Sequence, residues 1–110
     1  MTYQIYIAKI AEQDIADALD YIEFILKNPK AADDLLNLIS ERIGVLSEDP
    51  EIHPIVEDVV LKDWGIRFLL IRNYLAFYTI DHSAKRIYIV RFLYGKRNWI
   101  HILKQGISFE

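Results

Sequence analysis

The chain has 110 residues, 53% of them apolar and none of them cysteine, which suits one hydrophobic core and excludes a disordered polyelectrolyte, disulfides, thiolate nucleophiles and Cys-based zinc sites. Its formal charge of −3 is unevenly divided: residues 1–61 hold 13 Asp and Glu against 4 Lys and Arg, while residues 62–110 hold 3 against 9. The basic half is therefore where an acidic protein or a nucleic acid is expected to land.

Residues 2–8 alternate weakly, with Tyr3, Ile5 and Ile7 on one side, and predict a first strand. Over residues 12–27 the period changes to helical, with Ile15, Ala18, Leu19, Ile22, Ile25 and Leu26 as the buried stripe and Asp14, Asp17 and Asp20 on a solvated side. Asn28 and Pro29 then supply an N-cap and a first helical residue. The second helix has Ala32, Leu35, Leu36, Ile39, Ile43 and Leu46 as its stripe. A connection this short predicts an antiparallel helix pair that needs a third element to cover it.

Residues 47–58, with Pro50, Pro54 and five acidic residues, read as a surface connection. Strands are predicted at 66–72, 74–80 and 85–93, turning at Asn73 and at residues 81–84, so that they form an antiparallel meander. The last two are apolar enough that part of the sheet is expected to meet another chain. Residues 99–105 predict one or two helical turns closing under Trp99 and Leu103. The expected architecture is a single α+β domain over residues 1–110. Two antiparallel helices pack on a mainly antiparallel four-stranded sheet, in the order β-α-α-β-β-β, with a short helical tail. No segment has the roughly 20 apolar residues needed to span a bilayer, and no apolar stretch of signal-peptide length opens the chain. A soluble, cytoplasmic protein is expected.

Among the basic residues, Arg91 shares an alternation face with Ile87, Ile89 and Leu93, where a charge needs a partner. An ion pair, phosphate contact or plain solvation would each answer that need. Lys96 and Arg97 follow Gly95 at a strand end, a place where loops present binding groups. Arg67 and Arg72 bracket a strand, and Tyr94 either packs or stacks on a ligand. His53, His82 and His101 lack ligand spacing, so neither a metal nor another cofactor is expected. His101 lies near Lys96 and Arg97 and could move a proton. The motifs G-x-x-x-x-G-K-S/T, G-x-G-x-x-G and G-x-S-x-G do not occur, which argues against P-loop hydrolysis and serine-hydrolase chemistry.

Taken in order, Tyr3-Gln4-Ile5-Tyr6-Ile7, Ala11-Glu12-Gln13-Asp14-Ile15, Asn28-Pro29-Lys30-Ala31-Ala32, Gly65-Ile66-Arg67, Asn73-Tyr74-Leu75-Ala76-Phe77-Tyr78 and Arg91-Phe92-Leu93-Tyr94-Gly95-Lys96-Arg97-Asn98-Trp99 run nearly the whole chain. In this order the chain resembles the RelE/ParE superfamily of toxins from bacterial type II toxin–antitoxin systems, also known as plasmid stabilisation proteins. That resemblance implies a small α+β toxin wrapped by a cognate antitoxin, with a toxin dimer within the complex as a further possibility. RelE-like members cleave messenger RNA on the ribosome; ParE-like members poison DNA gyrase.

On the ribonuclease pattern Arg97 matches a phosphate-binding position, but the expected arginine falls near Leu75 and the expected tyrosine near Leu103, with His101 an imperfect substitute. The resemblance therefore favours a ParE-like or degenerate toxin acting on gyrase. A ribosome-dependent endoribonuclease and a non-toxic interaction module are the alternatives. The residues it implies for target or antitoxin binding are Arg67, Arg72, Arg91, Tyr94, Lys96, Arg97 and Trp99; Arg97 and His101 are the catalytic candidates.

Overall fold

The structure, a computed structural model, describes residues 2–110. Strand β1 (Gln4–Ile7) leads into helix α1 (Lys9–Asp20), which begins three residues before the predicted start because extended Ala8 hands the chain directly to it. The helix then widens into a π-helical turn, Tyr21–Ile25, in which the Leu26 N–H donates to the Tyr21 carbonyl at 3.0 Å. This i→i+5 bonding rotates the following residues off the stripe. Ile25 and Leu26, expected to be buried, are 67% and 55% exposed, and Leu36, expected in the buried stripe of the second helix, is also exposed.

Lys27, at φ 53°, turns the chain, and the Asn28 side chain accepts the Ala31 N–H at 3.1 Å ahead of Pro29. Helix α2 (Pro29–Val45) then returns beside α1. Next comes a short helix, α3 (Val59–Asp63), in a stretch to which the sequence pattern assigned no element. Its cap is Asp58, which accepts the Val60 and Leu61 N–H groups. Strands β2 (Arg67–Ile71), β3 (Tyr74–Asp81) and β4 (Arg86–Tyr94) form the meander, and α4 (Trp99–Lys104) follows.

The sheet order is β1-β4-β3-β2, with β1 parallel to β4 and the other pairs antiparallel. Tyr78 opposes Ile89 while Phe77 opposes Arg91, so Val90 is an extra residue in β4. Such a bulge breaks simple alternation. Ile87, Ile89 and Phe92 therefore pack with Leu35, Ile39 and Ile43 in the core under α1 and α2. Val90 and Leu93 pack on the opposite side. This corrects the reading that placed Leu93 on one face with Ile87 and Ile89.

The opposite face is covered by the chain itself. Leu75, Phe77, Val90 and Leu93 meet Val56, Leu61, Ile66 and Leu103, so α3, α4 and the preceding loop close the part of the sheet expected to await another chain. Nor is that loop a loose surface connection. Arg67 Nη1 donates to the His53 carbonyl at 2.6 Å, the buried Tyr78 hydroxyl donates to the Pro50 carbonyl at 2.8 Å, and Ile55 bridges Arg67. Among the described residues, no helix is long and apolar enough to cross a membrane.

Candidate binding groove

At the end of the sheet where the β2–β3 turn and the end of β4 face the bend of the helix pair, there is a groove of about 820 Å³. Leu35, Ile22, Leu26 and Phe92 give it an apolar lining, Tyr21, Tyr74 and Tyr94 add hydroxyls, and Arg72 and Arg97 supply cations. Tyr74 stacks on Phe92 with ring centroids 5.0 Å apart and meets Tyr94 edge-on at 5.6 Å. Burial, then the neighbouring Tyr94 and Tyr21, push the Tyr74 phenol above its ordinary value. At neutral pH it is a hydrogen-bond donor rather than a base.

Local geometry explains why the two arginines meet. Arg72 and Asn73 form the two-residue link between β2 and β3, with Arg72 held at φ 54°, in the left-handed region. The Gly95 N–H donates to the Asn73 carbonyl at 2.7 Å, and a Cβ on Gly95 would stand 3.2 Å from that oxygen. Glycine thus permits the loop after β4 to close on the turn, which brings Arg97 and Arg72 to one groove. Asp14 and Asp17 line it from α1.

Of the residues singled out from sequence, Arg72, Tyr94 and Arg97 come together here. Arg91 resolves as an ion pair: its Nε and Nη2 donate to the two oxygens of Asp14 at 2.7 and 2.9 Å. Asp14 was read as a solvated charge. Its spacing from Ala11 and Ala18, both buried, is the signal that places it on the inner face of α1.

Arg67 is taken up by the loop, its Nη1 on the His53 carbonyl and its Nη2 3.6 Å from Glu51. Trp99 packs on Phe77 at 5.2 Å in the far core. Lys96 is exposed and outside the lining, as is His101, whose Nε2 is 3.0 Å from the Gln105 side-chain nitrogen. His53 is half-buried; burial, then Arg42, lower its pKa. Among the described residues, no three His, Asp or Glu side chains are placed to hold a metal ion.

The family model described as "ParE toxin of type II toxin-antitoxin system, parDE" matches residues 5–99, from β1 to the start of α4. Two solved structures share the fold. The RelBE2 toxin–antitoxin complex from Mycobacterium tuberculosis aligns with a TM-score of 0.60 at 16% identity, covering 86% of this chain and 99% of that one. The chromosomal ParDE system from P. aeruginosa aligns with a TM-score of 0.68 at 18% identity, covering 84% and 96%. No curated protein matches the chain.

Proposed function

The chain belongs to the ParE toxin family of type II toxin–antitoxin systems, and from that premise we propose that it inhibits growth by acting on DNA gyrase and is neutralised by a cognate antitoxin. The observation that carries the choice of target is the placement of Leu75 and Leu103. Both are buried in one hydrophobic cluster, with Val56, Leu61 and Phe77. The resemblance to the ribonucleolytic branch expects an arginine near Leu75 and a tyrosine near Leu103, and apolar packing at both supports a reading without that phosphate-holding and proton-transfer pair. Loss of an acid–base group costs RNA cleavage a factor on the order of 10² to 10⁴. Two of the cations singled out from sequence, Arg91 and Arg67, are also engaged within the chain, while Arg72 and Arg97 stay in the groove.

For the antitoxin, the groove offers an apolar lining with Arg72 and Arg97 at hand, next to exposed Ile25 and Leu26. An acidic amphipathic segment that orders on contact satisfies both the charge and the apolar surface.

Induced expression in bacteria, with transcript ends and gyrase-linked DNA breaks mapped together, tests the target. Breaks without codon-linked transcript cleavage are expected. Codon-linked cleavage would transfer the chain to the ribonuclease reading, and unimpaired growth at full expression would leave a non-toxic interaction module.

A further inference from the structure

Residues 106–110 run from the end of α4 back over the face of the sheet away from the helix pair, to the start of α1. We propose that they form a strap that opens as a unit about Gly106 while the rest of the fold stays closed.

Gly106 stops α4, its N–H donating to the Leu103 carbonyl at 3.0 Å, and holds φ at 121°, where a side chain is strained. Beyond this pivot the segment belongs to neither a helix nor a strand. Little holds it. Ile107 packs, half-buried, against the cluster that includes Leu61 and Leu103. Phe109, itself half exposed, meets Tyr88 edge-on at 5.0 Å and forms one wall of a cleft of about 520 Å³ that Trp64 and Tyr88 also line. The Glu110 carbonyl accepts the N–H of Lys9, the first residue of α1. The first N–H groups of a helix have no partner within it, so α1 has no acceptor of its own for Lys9.

What lies beneath the strap does not depend on it. Ala8 and Ala11 are buried, and the Ala8 N–H donates to the Ile89 carbonyl at 2.9 Å, so the sheet pins the start of α1. Tyr88 is fixed in the sheet opposite Tyr6 on β1 and Thr79 on β3, and Tyr6 stacks on its ring at 5.7 Å. Opening therefore gives up an exposed hydrogen bond and the contacts of Ile107 and Phe109, and leaves both layers of the core intact. Segments with so few buried contacts open at lower cost than the whole fold. The open state bares the Tyr88 ring and removes a wall of the cleft, which in this form belongs to the closed state alone.

Native-state hydrogen exchange of the full chain, read by NMR at the adjacent Ala8 and Lys9 amides, tests the strap. The sheet holds the Ala8 amide, and the strap holds that of Lys9. Lys9 should be protected relative to an unstructured peptide, yet exchange about a hundredfold faster than Ala8 after correction for intrinsic rates. Phe109→Ala should speed Lys9 exchange about tenfold, the scale of one lost aromatic contact, and leave Ala8 unchanged. An unprotected Lys9 amide would show that the strap is not docked. Equal protection at both amides, or equal loss of it in Phe109→Ala, would make the segment part of the core fold. Lys9 exchange unaltered by Phe109→Ala would also overturn the proposal, because the segment would then not move as one piece.

Discussion

Asp14 holds Arg91 with both carboxylate oxygens, and its Oδ2 also accepts the Phe92 N–H at 3.0 Å. β1 pairs with β4 only as far as Ile7 opposite Ile89. Beyond that point β4 loses its strand neighbour, and a helix side chain satisfies the donor that a longer β1 would have paired. One carboxylate thus balances a partly buried guanidinium and closes a sheet edge beside the groove.

Asp14→Ala should destabilise the fold by about 2–4 kcal/mol, because it strands both the Arg91 charge and the Phe92 N–H. Urea denaturation would measure the loss. Asp14→Ala with Arg91→Leu should recover part of it by removing the unpaired charge. A loss below about 0.5 kcal/mol, within the range of ordinary surface substitutions, would show that the pair has no structural weight.

Arg72→Gly separates stability from function. An L-residue in the left-handed region carries a strain of roughly 1–2 kcal/mol, partly offset by the extra freedom glycine has when unfolded. The variant should therefore gain about 0.5–1 kcal/mol by the same measurement while binding its antitoxin more weakly, since a groove cation is gone. Stability gained with undiminished antitoxin affinity would remove Arg72 from the contact.

The helix pair was legible because Asn28 and Pro29 mark its junction chemically, and the meander because its turns are short and polar. The bulge at Val90 was not, since one inserted residue leaves a run such as Ile87 to Leu93 apolar whichever face each side chain takes. Helix α3 was missed because five residues make little more than one turn and show no period. For the groove, residue type pointed to Arg72, Tyr94 and Arg97. The same reasoning could not separate them from Arg67, Arg91 and Trp99, whose intramolecular partners lie in distant stretches of the chain.

Tyr78→Phe should cost about 1 kcal/mol at neutral pH by leaving the Pro50 carbonyl without its donor. The sign of its pH dependence follows from burial, which raises the phenol from 10.0 to about 12. The folded state prefers the neutral hydroxyl, so this contribution is intact below pH 10 and is lost as pH rises through about 12. Thermal melts above pH 10 should show the parent losing stability faster than Tyr78→Phe; parallel curves would remove Tyr78 as the cause.

Asp58 links the two short helices that cover the far face: it caps α3 and its Oδ2 lies 2.9 Å from Lys104 Nζ on α4. The Lys104 hydrogen bond is the main reason its carboxyl titrates below the ordinary 3.8, with the Leu61 and Val60 N–H groups adding to it against the effect of burial. A depressed carboxyl stabilises the fold above its unfolded pKa, and this contribution is lost as pH falls through the lower folded value. Asp58→Asn keeps an oxygen for the cap but removes the charge facing Lys104. Urea midpoints should therefore separate parent and variant by a constant amount from pH 7 to pH 5, and the gap should narrow at pH 3. A gap as wide at pH 3 as at pH 7 would place the effect in the cap geometry and not in the ion pair.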